Sequence, residues 1–256
     1  MTANDVAIVV QARMSSTRLP GKVLAPLGGE PAIVRMMERV RRVTRAAHHV
    51  VATSDQPSDD PLAAVCARHG LSCVRGPLDD VLGRVVKAVP SACSVVVRLT
   101  GDCPLVDPAL VDRHIDRFIA GQPATEYVTN AMVRTYPDGL DVEVMSRRSL
   151  VEADRAASDA FDREHVTPWI QRHVRVVAVT QPVDLSALRW VLDTPADYEA
   201  IAAIYAELLP VDSAFDSRAV YRLLTRRPDL IRVAGDLPVD DMVTRIRALL
   251  AAEPAG

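Results

Sequence analysis

Cysteine pairs, long apolar runs, excess charge and glycine-rich phosphate loops are all missing from this chain, and each absence excludes something. The four cysteines, Cys66, Cys73, Cys93 and Cys103, form no CxxC pair. That spacing speaks against a zinc site or a disulfide framework and for reduced thiols in a cytosolic protein. No apolar run approaches the roughly 20 residues that a membrane span needs. The start, MTANDVAIVVQAR, lacks the basic and apolar regions of a secretory leader, so the expected location is the cytoplasm. The formal net charge is only -3, which gives no electrostatic case for binding nucleic acid or a membrane surface. Neither GxGxxG nor GxxxxGK[ST] occurs, which removes the dinucleotide fingerprint and the P-loop.

What is present is material for a large buried core: 256 residues, 49% of them hydrophobic. Strand and helix patterns alternate through the first half. Apolar β-branched runs at 6–10, 49–52, 72–74 and 94–99 read as strands, and 31–46, 58–69, 78–89 and 107–120 read as helices. This alternation predicts an α/β fold with a mostly parallel sheet and helices on both faces. The pattern changes at 125. Strands are expected at 127–129, 140–145, 174–180 and 189–192, and helices at 146–157, 164–173, 196–209, 216–225 and 239–252. With no repeat and no low-complexity linker, 1–256 reads as one domain, with an inserted or appended subregion at about 125–180.

The loop after the first strand carries the most chemistry. Ligands of open parallel sheets bind beyond the carboxyl ends of the strands. Here Gln11-Ala12-Arg13 leads into Ser15, Ser16, Thr17, Arg18 and Lys22. Three cations, several hydroxyls and the backbone amides suit a triphosphate; the alternative is a solvated basic loop. Asp102, in Thr100-Gly101-Asp102, falls at another strand end on the same rim, where a single carboxylate can join phosphates and waters around Mg²⁺. It could equally be a turn residue. Asp193 is the second metal candidate if Thr194, and not Asp193, caps the helix that begins near Pro195. Asp107 reads as the cap of the helix that follows it.

On the substrate side, Asp141 and Glu143 would share one face of a strand, lining a pocket or facing water. Arg163 and His165, at a helix start, are either structural or ligands for a substrate carboxylate.

Taken in order, VVQARMSSTRLPGKVL, ATSD, RGPLDDVLGR, RLTGDCPLVDP, YPDGLDVEV, REHVTPWI and RWVLDTPADY resemble the spore-coat-polysaccharide type of cytidylyltransferase. That type is related to the CMP-KDO and CMP-sialic acid synthetases. The resemblance spans about 6–208 and implies a nucleotide-diphospho-sugar-transferase-like, Rossmann-like fold. It implies CTP and Mg²⁺ as ligands and a homodimer, with 125–180 serving acceptor binding and dimerisation. Arg13, Lys22, Asp102 and Asp193 would be catalytic, the two aspartates as metal ligands. Gln11, Ala12, Ser15, Arg18, Arg75, Arg98, Thr100 and Gly101 would surround the nucleotide. Asp141, Glu143, Arg163 and His165 would face the acceptor. The expected reaction is transfer of CMP from CTP to a hydroxyl of a nonulosonic or 3-deoxy-2-keto acid, with loss of pyrophosphate. The competing readings are a nucleotidyltransferase for another nucleotide, a sugar 1-phosphate or a phosphonate, a glycosyltransferase of similar fold, and a non-catalytic nucleotide-binding protein.

Overall fold

The apolar run after Asp5 forms β1 (Val6–Gln11), whose first five residues are buried on both faces of a sheet. The computed structural model describes residues 1–252. After β1 come β2 (Pro26–Leu27), β3 (Glu30–Pro31), α1 (Ala32–Val40), β4 (His48–Ser54), α2 (Asp60–Arg68), β5 (Ser72–Gly76) and α3 (Val81–Ala88). Next are β6 (Val95–Thr100), α4 (Pro108–Ala120), β7 (Tyr127–Thr129), β8 (Glu143–Ser146), α5 (Arg147–Ala156), α6 (Ala160–His165) and α7 (Pro168–His173). The chain continues through β9 (Val176–Ala178), α8 (Pro195–Leu208), α9 (Ser217–Arg226) and α10 (Val239–Ala252).

Seven strands form one sheet in the order β5-β4-β1-β6-β8-β7-β9; β2 and β3 make a separate small ribbon. The pairs β5–β4, β4–β1, β1–β6 and β7–β9 are parallel, and only β8 runs against its neighbours. The sheet is therefore mostly parallel with helices on both faces, as the alternating pattern predicts. Successive side chains of a strand point to opposite faces. Val6, Ile8 and Val10 join a core with α1, α4, α8, α9 and α10, whereas Ala7 and Val9 join a second core with α3, α5 and α7. Among the described residues no helix is long and apolar enough to cross a membrane.

Four local expectations need correction. The helix expected over 31–46 ends at Val40, because the amides of Thr44 and Arg45 turn to the Asp112 carboxylate at 3.1 and 2.9 Å. The strand expected from 140 starts only at Glu143. The Asn130 amide takes the carbonyl of Leu140 and the N–H of Val142, both at 2.8 Å, which removes them from the ladder. The segment 189–192 is not a strand: Arg189, Trp190 and Leu192 donate to Arg232, Asp138 and Asp102 in turn. The helix expected over 164–173 is cut in two at Val166, whose φ of 70° no β-branched residue adopts without strain. Pro168, which has no N–H to donate, opens the second half.

His114 on α4 is fully buried, with Nδ1 on the Leu110 carbonyl at 2.8 Å and Nε2 unpartnered. Burial, reinforced by Arg113, lowers its pKa from 6.5 to about 4 against the opposing Leu110 bond. Between those values the unfolded imidazole binds a proton that the folded one refuses, so stability falls as the pH drops from 6.5 to about 4. Chemical denaturation across that range should show His114→Leu losing less stability than the parent, by up to roughly 3 kcal/mol. Parallel curves for the two proteins would refute the assignment.

Candidate active site

β1 and β6 are neighbours in the middle of the sheet, so the loops after them meet at the centre of its carboxyl rim. The first loop is closed by a bond from the N–H of Gly21 to the carbonyl of Met14, at 3.0 Å. Gly21 has φ 73°, a left-handed conformation that glycine adopts freely. Inside the loop, the Met14 N–H donates to Asp59 at 2.6 Å. Asp59 is 1% exposed and also accepts from the backbone and hydroxyl of Ser54, the last residue of β4. A buried carboxylate at a neighbouring strand end thus anchors the loop. The sequence carries a signal for it, an acidic residue just past a strand on the same rim, but Asp59 reads there as part of an ordinary helix start.

A single helical turn at Lys22–Leu24 follows and aims Lys22 inward. Its Nζ lies 2.7 Å from Asp102 and 3.0 Å from Asp193. Burial opposes the charge on Lys22, but Asp102 and then Asp193 outweigh it and hold its pKa above the ordinary lysine value. Asp102 reaches this position because the Gly101 N–H donates to the Gln11 carbonyl at 2.7 Å, drawing the two loops together. A Cβ on Gly101 would come within 2.7 Å of that of Ala12, so no larger residue fits the crossing. Asp193 is brought in by the bond from the Leu192 N–H to the Asp102 carbonyl, at 2.8 Å. Thr194 caps α8 in a reciprocal box with Asp197, which leaves Asp193 free of capping duty. Arg18 also donates to Asp193.

These residues enclose a cavity of about 300 Å³. Gln11, Ala12, Arg13, Ser15, Arg18, Lys22, Thr100, Gly101, Asp102 and Asp193 all line it. Arg13 leans toward Glu164 of α6, 3.6 Å away. The other expected site residues lie elsewhere. Arg75 binds the carbonyls of Ser54 and Gln56, both at 2.9 Å, and the Asp60 carboxylate at 2.7 Å. The Arg98 guanidinium is taken up by Gln11 and Glu143 behind the cavity wall. Glu143 is buried and, because its strand begins there, shares no strand face with Asp141. Asp141 pairs with Arg134 at 2.7 Å; burial raises its pKa despite that arginine. Arg163 is held by Asp80 and Asp154 beside a separate recess, and the His165 ring packs on Phe161 at 4.3 Å between centroids.

A family model described as cytidylyltransferase matches residues 7–206. The spore coat polysaccharide biosynthesis protein SpsF of Bacillus subtilis (strain 168) is 38% identical over 239 residues, covering 88% of this chain and 96% of its own. A 3-deoxy-manno-octulosonate cytidylyltransferase of Gemmatimonas aurantiaca is 34% identical over 209 residues, covering 77% of this chain and 78% of its own. Among solved structures, a cytidylyltransferase of Leptospira borgpetersenii serovar Hardjo-bovis superposes with a TM-score of 0.85 at 29% identity, covering 92% of this chain and all of that one.

The anchoring of the first loop generates a direct expectation. Asp59→Ala removes a buried acceptor of three hydrogen bonds and should cost about 2 kcal/mol of stability. It should also release the loop, so that trypsin cuts after Arg13 or Arg18 in the variant at concentrations that leave the parent intact. Equal cleavage of both proteins would show that the loop is held by something else.

Proposed function

This chain belongs to the cytidylyltransferase family, and from that membership we propose that it transfers CMP from CTP to a hydroxyl of a small acidic sugar, releasing pyrophosphate. The acceptor class is a nonulosonic or 3-deoxy-2-keto acid, and the product serves surface polysaccharide or glycoconjugate synthesis. The observation that carries this reading is one cavity in which Arg13, Arg18 and Lys22 face the paired carboxylates of Asp102 and Asp193.

The carboxylate pair fits a divalent cation. Both side chains already converge on one positive charge, the Lys22 ammonium, and both offer the oxygen donors that Mg²⁺ prefers. Among the described residues no group of three or more carboxylate, histidine or cysteine side chains is arranged to hold a metal. Phosphate oxygens and water would complete the coordination, as is usual for Mg²⁺. Held by Asp102 and Asp193, a divalent cation such as Mg²⁺ would supply charge neutralisation to the phosphates and favour deprotonation of the acceptor hydroxyl.

The remaining work falls to the chain. Lys22 gives up the carboxylates and turns to phosphate oxygens, which carry more negative charge. Arg18 leaves Asp193 in the same exchange, and Arg13 approaches across the cavity mouth. Together they stabilise the charge that builds on the departing pyrophosphate. Ser15 and Thr17 offer hydroxyl donors along the same wall. The acceptor hydroxyl forms the new O–P bond at the α-phosphorus as the bond to pyrophosphate breaks, and its proton passes to solvent. The loops fixed by Gly101 and Asp59 hold these groups in line, so that positioning and electrostatics supply most of the rate.

The test is pyrophosphate release from CTP, UTP, ATP and GTP with Mg²⁺ and a panel of keto-acid sugars, with and without EDTA. CTP alone should react, EDTA should abolish the reaction, and Asp102→Asn should slow it by about a hundredfold or more. A protein that neither binds nor consumes CTP would overturn the reading. Lys22→Met separates the two proposed roles of the lysine. It should slow turnover, yet the nucleotide-free variant should bind Mn²⁺ about tenfold more tightly once the competing ammonium is gone, the equivalent of about 1.4 kcal/mol. Unchanged Mn²⁺ affinity would place the cation away from this pair.

A further inference from the structure

Three adjacent strands bring Gln11, Arg98 and Glu143 side by side on one face at the carboxyl rim of the sheet. Arg98 on β6 and Glu143 on β8 are register partners, and Gln11 ends β1 next to Thr100. Glu143 is 7% exposed and both its carboxylate oxygens are engaged. It accepts from Arg98 Nη1, from the Tyr127 hydroxyl and, at 2.7 Å, from Thr167 Oγ1. Arg98 aims two further N–H groups at a single atom: Nε and Nη2 donate to Gln11 Oε1 at 3.0 and 2.9 Å. Only an oxygen can receive that fork, so the orientation of the Gln11 carboxamide is decided and its Nε2 must point the other way. Among the described residues Nε2 has no acceptor, and Gln11 lines the nucleotide cavity.

We infer that Gln11 presents its amide N–H groups to an oxygen of the bound nucleotide, and that Glu143 and Arg98 are positioning residues that hold it in that orientation. The inference rests on the cytidylyltransferase reading above. The neighbours of Gln11 support an oxygen ligand. Arg13, Arg18 and Lys22 outnumber the two aspartates of the same wall, and an amide donor adds to it without another charge. The relay also explains why a glutamate, an arginine and a tyrosine are buried at a rim where apolar residues would pack more cheaply. It ties Thr167, at the break between α6 and α7, to the floor of the cavity. Thr167 reaches Glu143 because of the sharp turn at Val166, closed by a bond from the Thr167 N–H to the His165 carbonyl at 2.8 Å.

The test uses CTP binding by calorimetry, thermal melting, and Michaelis constants for CTP and acceptor on the full-length protein. Gln11→Glu keeps an oxygen for the Arg98 fork but replaces both N–H donors with a carboxylate oxygen. It should melt near the parent temperature and bind CTP on the order of a hundredfold more weakly. Gln11→Leu should weaken CTP by roughly tenfold. Glu143→Gln preserves the shape of the relay and should retain most CTP affinity, whereas Glu143→Leu should lose as much as Gln11→Leu. The double variant Gln11→Leu with Glu143→Leu should be no weaker than either alone, because the two act through one hydrogen bond. Losses that multiply would reduce Glu143 to a structural residue and overturn the relay. A CTP affinity unmoved by both Gln11 variants, or a defect confined to the acceptor KM, would overturn the assignment of Gln11 while leaving the cytidylyltransferase reading intact. A parent protein that binds no CTP would instead bring down that reading and this inference together.

Discussion

The Lys22 ammonium between Asp102 and Asp193 is the contact on which the rest of the site depends. Both carboxylates touch a single nitrogen, at 2.7 and 3.0 Å, so their oxygens stand within about 6 Å of one another. Without a cation between them, two half-buried carboxylates at that distance would repel by roughly 3 kcal/mol at an effective dielectric near 20. The lysine removes this penalty and lets three chain segments far apart in sequence close onto one point. In the function proposed above, a divalent cation and a triphosphate would satisfy the same two acids and the same base in a different pairing, without building new charge.

The sheet makes that convergence possible. β1 and β6 are parallel neighbours at its centre, so everything that follows their carboxyl ends shares one rim. Sterics then set how near the loops can come. Gly101 passes so close to Ala12 that a Cβ would collide, and the short crossing carries Asp102 to Lys22. Past the end of the next strand out, β4, Asp59 holds the first loop through Met14. Packing on both faces of the sheet keeps these anchors rigid, because β1 contributes alternate residues to two separate cores.

The region from 125 to 180 enters the site through its buried side. Its strands β7, β8 and β9 extend the main sheet, and its polar residues collect around Glu143 rather than around the cavity. Glu143 reads in the sequence as one of two acids on a strand face that either lines a pocket or meets water, Asp141 being the other. The two part company because the Asn130 side chain takes the backbone groups of Leu140 and Val142, so the strand starts at Glu143. Arg163 and His165, grouped by sequence as one cluster at a helix start, separate in the same way. Arg163 ties α6 to Asp80, while His165 packs on Phe161.

Local physics made much of this legible in the sequence. The alternation of apolar strands and amphipathic helices determined the layered α/β class, because periodicity reports which faces must be buried. The position of Arg13, Arg18, Lys22 and Asp102 just past apolar strands determined that they share a rim, since strand ends in a parallel sheet point one way. The capping grammar of Thr194-Pro195 left Asp193 or Thr194 as the cap, and the structure chose Thr194, in a reciprocal box with Asp197. Only the tertiary structure decided which charges meet. It joined Lys22 to both aspartates, turned Arg98 away from the cavity onto Gln11 and Glu143, and gave Asp59 its hold on the first loop. A side chain's partner depends on what other strands and loops bring within about 3 Å, and no local pattern in the chain encodes that distance.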